Sequence, residues 1–406
     1  MRFEISIARD GNQTLNVNGI HIYSKYKPKD HAASFIEKEL DLDAEGYLLL
    51  GLGLGYHLKA ITKRIRNKKI YILCVDKQEE KIFEKSYIYE EIIKMSNIII
   101  IYDPKDIKMN NNFQVIIPNA WLQVLNNEHP LFNFLADIKI KQESYSGQKN
   151  LLAENFRNNL LLNDQNIINY LSNTKVGNKL ACLVASGPSL NETKNWLKKV
   201  RSQLYIFCVG SALKVLLEED IEPDGVVISD PKMNIVQQLE GTDYSGILFY
   251  LSTANHIAIS RYKHTKYILF QNGYKRAEEL AARHNIPLVE TGGSVATTGF
   301  STLELLGFDK VILFGQDLGF KESYTHASFS TSGRRISTKE NLLKIISNNE
   351  EEIYTTPNLH SYLKWFNLKI RNSNIKVYNT ALNGASISNA DFINENEFYN
   401  LVNLTK

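Results

Sequence analysis

Short apolar runs alternate with longer amphipathic stretches along most of this chain, and the alternation changes character near residue 45. Before it, brief alternating segments such as Phe3-Glu4-Ile5-Ser6-Ile7 and Ile20-His21-Ile22-Tyr23, punctuated by Asn and Gly, predict a small β unit. A helix is expected near Ala32 to Leu40. After it, Tyr47 to Leu50, Ile70 to Val75, Asn97 to Ile101 and Phe113 to Ile117 read as buried strands, the first followed by a helical run to about Arg66. This is the signature of a Rossmann-like domain at about residues 45–145. From Gln148 to about Ser172, Leu152, Phe156, Leu160, Ile167 and Leu171 recur near one face, which predicts a helix connecting two domains.

A second alternation begins at Leu180. Strands are expected at Leu180 to Ala185, Leu204 to Val209, Gly225 to Ser229, Leu248 to Ser252, Tyr267 to Gln271, Lys310 to Phe314 and Ile375 to Tyr378. Continuous apolar strands separated by helices imply a mainly parallel, doubly wound sheet covered on both faces. The fold class is therefore α/β with two Rossmann-like domains. The organisation is residues 1–145 for the β unit and first domain, 146–175 for the connecting helix, and 176–406 for the second domain. The polar stretch Ser328 to Glu352 reads as a mobile loop ahead of a helix at Leu359 to Ile370.

Composition narrows the function. The 406 residues are 43% hydrophobic and 22% charged, with a formal net charge of +3, so no basic field argues for a nucleic-acid partner. No window reaches the length of a transmembrane segment, and the start lacks a signal-peptide core. Cys74, Cys182 and Cys208 each fall inside an apolar run, as buried reduced thiols do. A cytoplasmic location is expected.

Candidate chemistry clusters where strands give way to helices. Ser186-Gly187-Pro188-Ser189-Leu190 follows one strand, and a helix beginning there would turn free N–H groups toward an anion. Val209-Gly210-Ser211 follows the next strand, and Ser229-Asp230-Pro231 a third, where Asp230 suits a sugar hydroxyl or simply opens a turn. In doubly wound sheets ligands lie beyond the carboxyl ends of strands, so these turns point to one crevice. Thr291-Gly292-Gly293-Ser294-Val295-Ala296-Thr297-Thr298 reads as a second anion nest at a helix N-terminus. Gly315-Gln316-Asp317 follows a later strand and leads to Tyr324-Thr325-His326, where Tyr324 can donate to a leaving phosphate and His326 can act as a general base. His360 falls near a helix start and is the weaker histidine. Gly51-Leu52-Gly53-Leu54-Gly55, with Asp76 some way after it, has the spacing of a dinucleotide or S-adenosylmethionine site but lacks the third-glycine offset; a tight turn with no cofactor is the competing reading.

Taken in order, Ser186 to Leu190, Ser229-Asp230-Pro231, Gly292-Gly293-Ser294-Val295, Gly315-Gln316-Asp317-Leu318 and Thr325-His326-Ala327 resemble the motility accessory factor family of flagellin glycosyltransferases. His21-Ile22-Tyr23-Ser24-Lys25-Tyr26 and Gly51 to His57 are similar to that family's front half, so the resemblance spans most of the chain. The centre is also similar to bacterial sialyltransferases that use CMP-sialic acid.

The resemblance implies a sialyltransferase-type second domain that transfers a nonulosonic acid, such as pseudaminic or legionaminic acid, from its CMP form to Ser or Thr of flagellin. It implies that Ser186, Gly187, Pro188, Ser189, Leu190, Gly210 and Ser211 hold the CMP, and that Gly293 and Ser294 hold the sugar carboxylate. Asp230, Gly292, Thr297 and Gly315 complete the expected donor site, and Asp317, Tyr324 and His326 the catalytic set.

One departure stands out. Where those sialyltransferases carry a histidine base, this chain reads Tyr354-Thr355-Thr356-Pro357-Asn358. No Asp-x-Asp pair stands where a metal-dependent transferase needs one, so no metal or other cofactor is expected to be obligatory, although Mg²⁺ remains compatible. The motifs are shared with a group transferring diphosphate from ATP to hydroxymethylpterin, and a non-catalytic flagellin-binding module is a third reading.

Overall fold

The computed structural model describes residues 1–103, 113–125, 135, 148–173, 180–321, 330 and 342–404. They form two compact units, Met1–Gly147 and Gln148–Lys406.

In the first unit, β1 (Phe3–Ile7), β2 (Gln13–Val17) and β3 (Ile20–His21) form an antiparallel sheet. After the helix Pro28–Glu39 come β4 (Gly46–Leu50), β5 (Lys69–Leu73), β6 (Ile98–Ile101) and β7 (Phe113–Ile116). These four pair in parallel in the order β6-β5-β4-β7. Every residue of β4 is buried, as expected of a strand covered on both faces.

The second unit carries the larger sheet. Its strands are β8 (Gln165–Asn166), β9 (Leu180–Val184), β10 (Leu204–Val209), β11 (Gly225–Ile228), β12 (Ile247–Leu251), β13 (Lys266–Gln271), β14 (Leu288–Val289) and β15 (Lys310–Phe314), and after a separate hairpin of β16 (Leu343–Ile346) and β17 (Glu352–Thr355), β18 (Lys376–Asn379) and β19 (Ala390–Phe392). Among the described residues the order is β14-β13-β12-β11-β10-β9-β15-β18-β19, with β8 beside β13 and every pairing parallel. From β9 the chain steps outward through β14. It then returns under the helix Val295–Leu305 to lay β15 on the other flank of β9. An added Cβ on Gly299 of that helix would lie 2.8 Å from Leu183, so the missing side chain lets the helix seat directly on the central strands. The reversal makes the carboxyl ends of β9 and β15 the topological switch point, where a doubly wound sheet opens a crevice.

Three expectations need correction. The stretch taken as one connecting helix is two helices, Lys149–Leu160 and Ile167–Asn173, interrupted by the polar run Asn163-Asp164-Gln165-Asn166; Asn163 adopts φ +52°, and β8 joins the large sheet. Both helices belong to the second unit. The end of the presumed loop, from Leu343 onward, is the β16–β17 hairpin, whose alternating Leu343-Lys344-Ile345-Ile346 was too short and polar to read as a strand. The short strands β14 and β19 also escaped the sequence pattern. The three cysteines are free and buried, and burial pushes their thiols upward. No described helix is long and apolar enough to cross a membrane.

Candidate functional site

The turns after β9 and β15 are locked together at the switch point. The Gly187 N–H donates to the Gly315 carbonyl at 2.8 Å, and Ala185 N–H to the Phe314 carbonyl at 2.8 Å. A Cβ at Gly187 would lie 2.1 Å from Asp317 Oδ2, and one at Gly315, held at φ +62°, 2.2 Å from the Ala185 carbonyl oxygen. Both glycines are thus required by the close approach of two backbone turns. Asp317, 7% exposed, accepts from the Ser189 N–H at 3.1 Å and from Ser189 Oγ–H at 2.8 Å. Burial pushes its carboxyl up to about 6, against the downward pull of those hydrogen bonds.

These contacts change what the Ser186 to Leu190 turn can offer. Gly187 and Ser189 spend their N–H groups on the β15 turn. Leu190, Asn191 and Glu192 donate to the Gly187, Pro188 and Ser189 carbonyls. The remaining polar groups lie next door. Ser186 Oγ and Ser211 Oγ meet at 2.8 Å, joining the ends of β9 and β10. Ser211 lies in the first turn of the helix Gly210–Leu217, which has no side-chain cap, so its first N–H groups face the same edge of the sheet. Two hydroxyls against an uncapped helix N-terminus suit an anion better than the neighbouring turn does. Gly210 makes room for protein rather than ligand: a Cβ there would meet Gln238 Oε1 at 2.2 Å.

Farther along the edge, the Asp230 Oδ1 accepts from the Lys232 N–H at 2.9 Å. Its charge reaches Tyr362, whose hydroxyl is pushed up mainly by burial and secondly by Asp230. Tyr362 and Trp365, on the helix Pro357–Arg371, pack beneath Gly293 and Gly292. In that glycine pair's turn, Ser294 Oγ accepts from the Thr297 N–H at 3.3 Å, while Thr297 Oγ1 donates to the Ser294 carbonyl at 2.6 Å and accepts from the Gly292 N–H at 2.9 Å. Thr297 is fully buried. Its hydroxyl shapes the nest, leaving Gly293 and the half-buried Ser294 as the groups nearest solvent. Tyr324 and His326 lie outside the described residues.

The structure also assembles a group that the sequence did not single out. Asn155, fully buried on the helix Lys149–Leu160, donates through Nδ2 to the Pro231 carbonyl at 3.0 Å and the Thr253 carbonyl at 3.2 Å. Its Oδ1 lies 2.8 Å from His256 Nδ1 and accepts from the His256 N–H at 3.2 Å. One turn on, Asn159 donates to the Ser252 and Ala254 carbonyls at 3.0 and 2.8 Å. The helix therefore clamps the ends of β11 and β12. Two asparagines four apart on an otherwise apolar helical face were the available signal; the end of β12 carries no glycine to draw attention to it.

In the first unit, the glycine-rich turn after β4 is filled from within. Glu79 is fully buried, and its Oε2 accepts from the Leu52 and Gly53 N–H groups at 2.6 and 3.2 Å. Oε1 accepts from Val75 and Asp76 at 2.6 and 3.2 Å. The carboxylate takes the N–H groups that an anion bound in this turn would need. Trp121, Tyr23 and Phe83 occupy the spaces above Gly51, Gly53 and Gly55. Asp76 accepts from the Met1 amino group at 3.0 Å. The N–H groups of this turn and the spaces over its glycines are thus taken up by side chains of the same unit.

Residues 152–323 match the family model described as 6-hydroxymethylpterin diphosphokinase MptE-like, a span that runs from the helix carrying Asn155 past Asp317. Along its whole length the chain shares the fold of the Maf glycosyltransferase from Magnetospirillum magneticum AMB-1. The TM-score is 0.51 at 13% identity, with 100% of this chain and 73% of that chain covered. Over 55 residues it is 42% identical to an uncharacterised protein of Treponema pallidum (strain Nichols), a stretch that is 13% of this chain and 19% of that protein.

Proposed function

We propose that this chain is a glycosyltransferase that moves a nonulosonic acid, such as pseudaminic or legionaminic acid, from its CMP form to Ser or Thr of flagellin. The observation that carries the reading is the Ser186–Ser211 hydroxyl pair at an uncapped helix N-terminus, set beside the switch point of a fold shared with a Maf glycosyltransferase. The donor and acceptor rest on the sequence resemblance.

In this reading Ser186, Ser211 and the N–H groups opening the helix Gly210–Leu217 hold the CMP phosphate. They meet the charge that develops as the sugar–phosphate bond breaks, and being already oriented they need little reorganisation. Asp317 positions Ser189 and keeps the β9 and β15 turns in register. Asp230 receives a sugar hydroxyl, and Gly293 with Ser294 the sugar carboxylate. Tyr324 donates to the leaving phosphate. The experiment is CMP release from CMP-pseudaminic or CMP-legionaminic acid in the presence of purified flagellin. Turnover dependent on flagellin supports the reading, and none with either donor and a competent flagellin counts against it.

The family match favours one alternative, diphosphoryl transfer from ATP to a hydroxymethylpterin. A melting-temperature shift with ATP and Mg²⁺, and none with CMP, selects it.

A further inference from the structure

We infer that His256 is the general base that takes the proton from the acceptor hydroxyl, with Asn155 as the residue that sets its tautomer. The inference rests on the glycosyltransferase reading for its substrate, but its structural half stands on the hydrogen-bond network alone.

That network fixes the imidazole. Asn155 Nδ2 sits between two carbonyl oxygens, those of Pro231 and Thr253, so the amide cannot be reversed without setting oxygen against oxygen. Asn155 Oδ1 is consequently an acceptor, confirmed by the His256 backbone N–H that donates to it. A ring nitrogen 2.8 Å from that oxygen must carry a proton. In the neutral ring the lone pair is then on Nε2, which has no partner among the described residues. Asn155 is fully buried and braced at both ends, so the ring is held rather than merely contacted. A base whose second nitrogen is oriented by a fixed acceptor is the arrangement proton abstraction needs.

Position agrees with the role. His256 is half-buried at the carboxyl edge of the sheet, just past β12, and Asn255 N–H binds the Asp230 carbonyl at 3.1 Å. β12 stands two strands from β10, a spacing of about 10 Å between those strands, so His256 and Ser211 follow strands of the same parallel sheet on its carboxyl edge. In the step, the acceptor O–H gives its proton to His256 Nε2, and the oxygen forms a bond to the anomeric carbon. The bond from that carbon to the phosphate oxygen breaks, its electron pair leaving with CMP; the imidazolium then releases the proton to water.

The test uses the full chain and three measurements. His256→Ala and His256→Gln should lower flagellin glycosylation a hundredfold or more, with CMP binding by calorimetry unchanged within about threefold. Retained CMP binding shows that the variants are folded and the donor site intact. ¹⁵N NMR of the imidazole should show the proton on Nδ1 in the wild type, and Asn155→Ala should shift the ring toward the Nε2–H form, a change that a merely structural asparagine would not produce. Wild-type rates of transfer in the His256 variants overturn the assignment, as does an Nε2-protonated ring in the wild type. If the wild type turns over no CMP sugar, the glycosyltransferase reading fails. The NMR result then still decides whether Asn155 sets the ring.

Discussion

Asp317 and Ser189, separated by 128 residues, are joined by two hydrogen bonds that run from the backbone N–H and the hydroxyl of the serine to the carboxylate of the aspartate. This contact ties the two strands flanking the switch point into one rigid edge, and the candidate anion site is built against it. Asp317→Ala leaves the buried Ser189 donors unpaired and is expected to cost about 1–3 kcal/mol, read from urea unfolding.

The same carboxyl gives a pH signature. Its folded-state value, pushed up to about 6, exceeds the ordinary value of 3.8, so the folded state binds the proton more tightly. The stability it contributes is complete below pH 3.8 and is lost as the pH rises through about 6, by about 3 kcal/mol in all. Asp317→Asn should flatten that part of the stability–pH curve; an unchanged slope would show that Asp317 is ionised throughout.

Ser211→Ala and Ser186→Ala each remove a hydroxyl offered to a charged phosphate. Each is expected to weaken CMP binding about tenfold or more, with the melting temperature little changed. Calorimetric titration with CMP measures it.

Gly315→Ala forces a Cβ onto the Ala185 carbonyl at a positive φ. A destabilisation of about 2 kcal/mol or more is expected, together with weaker CMP binding, because the β9 turn must shift with it.

The first unit should bind neither S-adenosylmethionine nor a dinucleotide, since Glu79 already occupies the turn. Burial pushes that carboxyl up to about 7, against the pull of four N–H groups. Titration calorimetry with each cofactor should show no heat of binding.

If helix N–H groups and hydroxyls meet the charge on the departing phosphate, as proposed, transfer persists in EDTA. Activity abolished by EDTA and restored by Mg²⁺ would assign that work to a metal.

The longer strands of both parallel sheets were legible because buried β segments such as β9 and β10 are continuous apolar runs, and several of their ends carry the glycines that close turns require. Their order was not, because nothing local records that β15 returns beside β9. The role of a glycine is hard to read from sequence for the same reason. Gly51 and Gly210 look like ligand contacts in one dimension, yet the atoms over them come from Trp121 and Gln238, distant in sequence. The carboxylate that fills the first glycine turn lies on the helix Gln78–Glu84 after β5, where Glu79 resembles any solvated acid. Asn155 and His256 were missed because their relation spans 101 residues. Asp317 stood out as an acid at a strand end, but only the fold shows that its carboxylate is engaged by Ser189.

The most direct test is a crystal structure of the full chain with CMP. The account predicts the phosphate within hydrogen-bonding distance of the Ser186 and Ser211 hydroxyls, at the start of the helix Gly210–Leu217. A phosphate bound elsewhere, with Ser186 and Ser211 still paired only to each other, would contradict it.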